Sequence, residues 1–178
     1  QVLSIMINPV RIDSGRLDPE TNLSSWGTLP LAPEQIVTVE PAEEQGVALS
    51  LGLEADSWGF KMGSTPIGFK DSNLIGELSW RNSSLTNQLS FTLERDAIRE
   101  SALSYSGYED PVSGIRWGSV LRSGARMELT WPRGNEGVIG RLAGYHYDGK
   151  EVAQNDQLEL LAGYYRNSIR HDNPRIDG

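Results

Sequence analysis

The chain has 178 residues, a formal net charge of −8 and a sequence pI of about 4.8. This length fits one domain with a sizeable core, and the acidic balance lacks the basic footprint of nucleic-acid binders, so we expect no nucleic-acid partner. The absence of cysteine excludes disulfides and thiolate chemistry. No apolar run reaches the roughly 18 residues of a spanning helix, but spanning β-strands stay possible because half their side chains are polar.

The first half of the chain alternates between apolar and polar residues, the two-residue period of a strand with one apolar face. We predict strands at residues 2–13, 46–54, 58–63 and 74–81, with a tight turn at residues 55–57. Residues 14–34 are rich in proline and small polar residues and predict a long loop, followed by a short extended piece at 36–39. A chain that begins at Gln1 without methionine is expected to be a mature product or an excised piece.

The second half continues the same pattern. Further strands are predicted at residues 85–94, 117–131, 138–147 and 157–166, which gives about eight in all. We expect turns at 82–84 and 132–135 and a polar connection at 148–156. Helical spacing occurs only weakly, at residues 96–103. Residues 95–117 combine charges, aromatic rings and glycines without a clear period, so we predict a long functional loop mounted on the β scaffold.

Short turns on one rim, longer connections on the other and aromatic residues at the ends of apolar faces are typical of an outer-membrane barrel. An antiparallel soluble sandwich or a lipocalin-like barrel remains an alternative, because its strands also have one apolar face and tryptophans often cap a core. Charged and polar residues lie opposite the apolar stripe, on a face that both architectures must keep wet: Lys61, Glu77, Arg81, Gln88, Glu94, Arg126, Glu128, Arg141 and Glu159.

Little in the sequence points to catalysis. Glu94 and Glu128 resemble a glycosidase pair only in residue type, and regularly spaced acids and bases on a wet face explain them equally well. His146 and His171 are too far apart for a metal motif, and no nucleophile elbow, phosphate loop or dinucleotide fingerprint occurs. We therefore expect a protein that is not an enzyme and has no cofactor and no metal.

Aromatic residues cluster in or near the predicted loops and strand ends. Their flat rings with a polar tip stack on sugars and also form girdles at the headgroup level of a membrane. For a single ring the girdle or core interpretation is favoured, and only a ring that projects into a lumen would serve a glycan. The set is Trp26, Tyr105, Tyr108, Trp117, Tyr145, Tyr147, Tyr164 and Tyr165.

Several blocks together resemble one protein family. They are INPVRIDSG (7–15), GSTPIGF (63–69), RDAIRESALSYSGYEDPVSGIRWGSV (95–120), GYHYDGKEVAQND (144–156) and LLAGYYR (160–166). In this order they resemble the C-terminal region of the bacterial cellulose synthase operon protein C family, the outer-membrane export subunit. Each block alone is weak, but the combination covers nearly the whole chain.

The resemblance implies an antiparallel up-and-down transmembrane β-barrel of roughly sixteen strands in the bacterial outer membrane, preceded by periplasmic helical repeats. It implies export of a β-1,4-glucan, cellulose or a modified cellulose, without chemistry of its own. The implied partners are this polysaccharide, outer-membrane lipid, the rest of the barrel and an inner-membrane cellulose synthase complex.

The chain departs from the family pattern because the helical repeats are absent and about eight strands make half a barrel. Residues 1–178 would then be the incomplete N-terminal half, since two unpaired edges are not tolerated in a bilayer. The alternative is a small closed barrel, which its own side chains would fill. A soluble β-sandwich carbohydrate-binding module is the alternative outside membranes.

For the pore interpretation we predict that charged residues hydrate the lumen and hydrogen-bond the glucan: Lys61, Glu77, Arg126, Glu128, Arg141 and Glu159. Mixed signs suit a neutral polymer. By strand parity, residues 95–117 are expected at the extracellular mouth as a rim or gating element. Tyr105, Tyr108, Trp117 and Tyr145 are the aromatic residues predicted to touch the polymer, whereas the charges of that loop are expected to brace the fold.

Overall fold

The computed structural model describes residues 1–13, 43–84, 87–109 and 113–167, and these residues are almost entirely β. The strands are β1 (Val2–Asp13), β2 (Glu43–Glu54), β3 (Trp58–Ser64), β4 (Leu74–Ser83), β5 (Gln88–Ala97), β6 (Tyr108–Glu109), β7 (Arg116–Arg133), β8 (Glu136–Lys150) and β9 (Asn155–Arg166). One short helix, α1 (Ala102–Ser106), precedes β6. No helix of this part of the chain is long and apolar enough to cross a membrane.

The strands form one antiparallel meander in the order β1-β2-β3-β4-β5-β7-β8-β9, and the two-residue strand β6 pairs with β7. Every strand pair is antiparallel. The predicted all-β, up-and-down architecture is therefore confirmed. Within the described residues β1 pairs only with β2 and β9 only with β8, so the sheet is open at both edges.

The register sorts the side chains into an apolar face and a polar face, because directly opposed residues point to the same side. Leu51 opposes both Ile5 and Met62, and Leu93 opposes both Leu78 and Ala125. The large side chains of the apolar face include Leu3, Ile5, Ile7, Val47, Leu49, Leu51, Leu53, Trp58, Phe60, Met62, Leu78, Trp80, Phe91, Leu93, Met127, Trp131, Val138, Leu142, Leu158, Leu160 and Tyr164.

The apolar face is the more exposed of the two. On β5, Leu93 of the apolar face is 43% exposed, whereas its neighbour Thr92 of the polar face is 7% exposed. Side chains crowd together on the concave side of a curled sheet, so we assign the polar face to the inside of the curl. A globular sandwich has the opposite arrangement, with its apolar face buried in the core.

The connections between strands lie at two opposite edges of the sheet, which we call the turn rim and the loop rim. The turn rim carries residues 55–57, where the Ala55 N–H donates to the Trp58 carbonyl at 2.8 Å, and the two-residue turn Gly134–Asn135. The loop rim carries residues 65–73 and the segment between β5 and β7. The connection between β8 and β9 is shorter than predicted. Pairing with β7 extends β8 to Lys150, and pairing of Tyr147 with Asn155 starts β9 within the polar stretch at 148–156.

Three sequence predictions of local structure were wrong in detail. The weak helix at 96–103 begins later, because Asp96 and Ala97 pair with β7 while Ser101 caps α1 by accepting from the Ser104 N–H at 3.0 Å. β7 begins at Arg116 and continues through Pro132, since a proline near a strand end costs one ladder bond at most. β4 continues to Ser83, so the turn predicted at 82–84 starts later.

Some predictions lie outside the described residues. They are the loop at 14–34, the extended piece at 36–39, the strand start at 85–86, Trp26 and His171.

We predict that Gly118→Ala detaches α1 from β7. Gly118 has φ +90° and an added Cβ would lie 2.1 Å from the Leu103 carbonyl oxygen, so a side chain there costs about 1–3 kcal/mol of backbone strain in addition to the clash. Trypsin cleavage after Arg99 in the full-length protein should accelerate roughly tenfold or more.

The matched control is Gly144→Ala on β8, where an added Cβ meets nothing within 4 Å. This variant should be cleaved at the wild-type rate. Equal cleavage of both variants would show that Gly118 does not hold the helix.

Candidate functional site

The polar face brings together the six charged residues predicted to line a lumen. Lys61 opposes Glu77, Glu128 opposes Arg141, and Ala143 opposes both Arg126 and Glu159. The register therefore places all six on one side of the sheet, spread over β3, β4, β7, β8 and β9. Binding of a ligand by these six residues stays a prediction.

Two arginine–glutamate ion pairs occupy one part of the polar face. Arg122 Nη2 lies 2.7 Å from Glu94 Oε1, and Arg141 Nε donates to Glu128 Oε1 at 2.7 Å. By contrast, within the described residues Lys61, Glu77, Arg126 and Glu159 form no ion pair. The polar face thus has a braced part and a part whose charges are available to solvent or a ligand.

The two carboxylates considered as a glycosidase pair, Glu94 and Glu128, are the ones that the arginines hold. Each carboxylate has an oxygen 2.7 Å from an arginine nitrogen, so both groups are engaged in ion pairs. The ion-pair interpretation of these residues therefore has direct support.

Tyr145 was predicted to touch a polymer, and the structure places it on the polar face but 7% exposed. The Arg122 guanidinium lies over its ring, 4.8 Å from the centroid, a cation–π arrangement. On the same face, the Tyr147 hydroxyl donates to Gln157 Oε1 at 2.5 Å. Arg122 and Tyr147 were not among the predicted site residues, although their parity with Arg126 and Tyr145 along their strands was a usable signal.

At the loop rim, residues 65–73 pack against α1 and the start of β7, and we call this assembly the loop cluster (residues 65–73, 98–109 and 113–119). Phe69 is buried and meets the Tyr105 ring edge-on, with centroids 5.7 Å apart. Asn73 accepts from the Thr65 N–H at 2.9 Å and its own N–H donates to Thr65 Oγ1 at 2.7 Å. Its side-chain amide donates to Ser119 Oγ at 3.1 Å.

Asp71 is the charged centre of the loop cluster. Its side chain is 7% exposed, and Arg116 Nη2 approaches Oδ2 at 2.9 Å. The Lys150 ammonium, from the end of β8, bonds to Oδ1. One carboxylate thereby ties the β3–β4 connection to both β7 and β8, across the shorter strand β5. A second pair in the same cluster, Lys70 with Glu109 at 3.1 Å, is more exposed.

The loop cluster also contains the three aromatic residues predicted at the mouth. Tyr105 packs on Phe69 and under Arg99, whose guanidinium is 5.6 Å from the ring centroid. Tyr108 pairs with Trp117 in the β6–β7 ladder, and Trp117 is 44% exposed. Trp117 is therefore the most accessible of the three, and Tyr105 has a structural role in the cluster. Contact with a polymer stays a prediction for all of them.

The loop cluster reaches over the polar face. A depression on this face is lined by Arg99 of the cluster together with Lys61, Glu77 and Glu94 of the strands. Its lining is mixed in charge, and it offers both donors and acceptors to a polar ligand. In the described parts of the chain no group of three or more His, Cys, Asp or Glu side chains is arranged to hold a metal ion.

On the apolar face, large aromatic residues gather near the turn rim. Trp58 directly opposes Trp80, which opposes Phe91, and Val138 opposes both Trp131 and Tyr164. All five rings are exposed. Rings with a polar tip on an exposed apolar surface are suited to a boundary between hydrocarbon and water.

The chain matches the family model described as the cellulose synthase operon protein C C-terminus over residues 1–177. It belongs to this family. Curated relatives include cellulose synthase operon protein C of Salmonella typhimurium, 29% identical over 94% of the chain and 14% of that protein. The Xanthomonas axonopodis pv. citri protein of the same name is 32% identical over 75% of the chain and 9% of its own length.

A third relative, cellulose synthase 2 operon protein C of Komagataeibacter xylinus, is 32% identical over 90% of the chain and 12% of its own length. The chain thus spans about a seventh or less of the relatives it matches. The resemblance to the C-terminal region of the cellulose synthase operon protein C family is confirmed.

We predict that Asp71→Asn loosens the loop cluster. Removal of a buried charge partner leaves Arg116 and Lys150 uncompensated, and partial exposure of Lys150 limits the cost to about 2 kcal/mol. Hydrogen exchange at the Thr65 amide of the full-length protein should accelerate roughly thirtyfold. Glu109→Gln, which removes the exposed pair with Lys70, should change exchange less than fivefold. Equal effects of the two variants would contradict a central role for Asp71.

A second prediction concerns alkaline pH. Burial raises the pKa of Tyr105 above its ordinary value, an effect that nearby Arg99 opposes and Asp96 reinforces. The folded cluster therefore prefers the neutral phenol, so this contribution to its stability is full below about pH 10 and is lost as the pH rises from there through the raised pKa. Tyrosinate absorbance of the full-length protein, compared with Tyr105→Phe, should show one tyrosine that titrates late. A difference curve centred below pH 10 would contradict the prediction.

Proposed function

We propose that this chain forms part of the wall of an outer-membrane β-barrel through which a β-glucan exopolysaccharide, cellulose or a modified cellulose, leaves the bacterial periplasm. Membership of the cellulose synthase operon protein C family supports the link to cellulose. The observation that carries the membrane part is the exposed apolar face opposite a charged, less exposed face, the arrangement of a barrel with lipid outside and water inside.

The border of the apolar face nearest the loop rim does not run along a single row of paired residues. Arg95 of β5 and Asp156 of β9 are the first charged residues on the loop-rim side of this border. Both lie in the same row as Leu51 of β2. On β2 the first polar residue is Gln45, six positions further along the strand. At about 3.4 Å per residue the border therefore shifts by about 20 Å between β2 and β5, over three strand spacings of about 4.8 Å, and it then follows one row from β5 to β9.

The border of the apolar face nearest the turn rim shifts in the same direction as the border nearest the loop rim. The row of Trp58 and Trp80 passes through Leu160 on β9, while the aromatic residue of that strand, Tyr164, lies four positions further toward the turn rim. Both borders thus lie further toward the turn rim on β9 than on β2 and β3. Tilted strands give an apolar band this sense of stagger, and strands of outer-membrane barrels are tilted by about 35–45°. The stagger therefore supports the membrane wall.

The rims support an orientation. Outer-membrane barrels have short periplasmic turns and longer extracellular loops, so the turn rim with its aromatic band is placed at the periplasmic interface. The loop cluster then lies at the extracellular mouth, where Trp117, Tyr108 and Tyr105 would meet the emerging chain. Mixed charges on the polar face suit a neutral polymer, since a pore for anions carries a ring of one sign.

Eight strands would not conduct a polysaccharide by themselves, because a closed barrel of this size is filled by its side chains. Among the described residues the outer edges of β1 and β9 are unpaired, which supports completion by further strands, about sixteen in all, since a bilayer does not tolerate open edges. The working partners would be the rest of the barrel, outer-membrane lipid, periplasmic helical repeats and an inner-membrane cellulose synthase. The segment itself would be a conduit without catalysis.

The alternative is a soluble β-sandwich carbohydrate-binding module. A sandwich needs its apolar stripes buried against a second sheet, whereas Leu158 and Leu160 on β9 are about 80% exposed. This exposure favours the membrane wall over the soluble module.

Two neighbouring positions on β2 test the proposal. We predict that an environment-sensitive fluorophore on Leu49→Cys of the membrane-reconstituted full-length protein, freed of other cysteines, is blue-shifted and quenched by lipid-attached nitroxides. The same label on Ser50→Cys should report water, and only this thiol should react with a charged reagent, because the two side chains lie on opposite faces.

Identical behaviour at both positions, or a full-length protein that is monodisperse without detergent, would contradict the membrane wall. Export is tested separately in a strain that lacks the full-length protein, which should retain glucan behind the outer membrane until the intact gene is restored.

A further inference from the structure

Arg126 stands between the two braced pairs of the polar face. On β7 it lies four residues after Arg122 and two residues before Glu128, so all three point to the same side. Glu94 and Glu128, the acids nearest to it on the neighbouring rows, are held by Arg122 and Arg141 at 2.7 Å each. Arg126 is thus left as a cation without an ion pair among the described residues.

The outer end of the Arg126 guanidinium is unpartnered among the described residues. Its Nε is buried without a hydrogen-bond partner, while neither Nη group is among the buried unpartnered atoms or bonded to another described residue. An arginine carries donors and no acceptor. Within the described part of the chain, the two Nη groups are therefore donors to which a ligand oxygen can bond.

The neighbours of Arg126 in its own row are small. The row runs from Gly59 through Ser79 and Thr92 to Arg126 and continues to Ala143, which is 1% exposed. Beyond these small residues the row ends in Glu54 on β2 and Glu159 on β9. The rows on either side carry long side chains, among them Lys61 and Glu77 above and Arg141 below. A flat sugar ring with many hydroxyl groups can approach the wall along this row of small side chains. Gly59 and Ser79 of the row line a depression.

We infer that Arg126 is the principal wall contact for the passing glucan, with Thr92 and Ser79 beside it as hydroxyl partners, whereas Arg122 braces the wall. The inference rests on the proposed function and assigns different roles to two arginines of one strand and one face. A guanidinium donates two parallel hydrogen bonds, which fits adjacent hydroxyl oxygens of a sugar ring. A neutral ligand leaves its charge unneutralised, so the contact remains weak enough for the chain to move on.

The experiment measures how long a soluble cello-oligosaccharide, cellohexaose, blocks the ion current through the full-length protein in a planar bilayer. The block should last roughly tenfold less in Arg126→Gln, because hydrogen bonds from a charged donor are lost. The melting temperature should stay at the wild-type value, since Arg126 holds no protein group. Arg126→Lys, which keeps the charge but loses the planar fork, should give an intermediate block time.

Arg122→Gln is the matched control from the same strand and face. It should lower the melting temperature, because Glu94 and Tyr145 lose their partner, and it should leave the block time within about twofold of wild type. A block time unchanged in Arg126→Gln, or shortened equally in both variants, overturns the inference while the proposed conduit stands. A wild-type current that cellohexaose does not block overturns the conduit proposal itself.

Discussion

The antiparallel register is the constraint on which the rest of the structure depends. Because side chains alternate with a period of two, a slip of one residue between any two strands would exchange their faces. The observed register holds Leu49 and its neighbours on one side and the arginine–glutamate pairs on the other along the whole meander. This pairing separates the apolar surface from the charged surface. It also sets the course of the border between them and the position of Arg126.

Among the described residues, one group of buried side chains packs at the loop rim, apart from those on the polar face of the sheet such as Ala143 and Tyr145. Buried side chains of the loop cluster include Phe69, Thr65 and Asp71, and they lie where the strands end and no lipid would cover the chain. The cluster is held by a carboxylate shared between two cations and by an aromatic contact, interactions that work in water. The same chain therefore combines two kinds of stabilisation, a hydrogen-bonded wall and a small polar core at its end.

Sequence reasoning recovered the strands and their faces because alternation is a local property. Pairing within a hairpin is nearly local too: with the turn placed at Gly134–Asn135, Glu128 and Arg141 are equidistant from it and face each other. The turn predicted at 132–135 was centred one residue too early to show this. The Arg122–Glu94 pair joins strands separated by the long β5–β7 connection, and no sequence spacing predicts the length of that connection in space.

The loop cluster was beyond prediction for a similar reason. No contact was predicted between residues 65–73 and the functional loop predicted at 95–117, whereas the structure packs Phe69 of the first against Tyr105 of the second. Such contacts depend on the curl of the sheet and on β5 being shorter than β7 and β8. The expectation that the charges of this region brace the fold agrees with the contacts of Arg99 and Arg116.

The open edges of β1 and β9 in the described sheet make the width of the proposed barrel depend on how many strands complete it. A strand tilted by about 35°, as in outer-membrane barrels, occupies about 5.9 Å of circumference instead of about 4.8 Å. Eight such strands would close into a ring about 15 Å across between backbones, which inward side chains would fill. Sixteen would give about 30 Å, and after side chains of about 5–6 Å on each side an aqueous bore of about 20 Å would remain. The strands that pair with these two edges would therefore decide whether the proposed lumen is wide enough for a polymer.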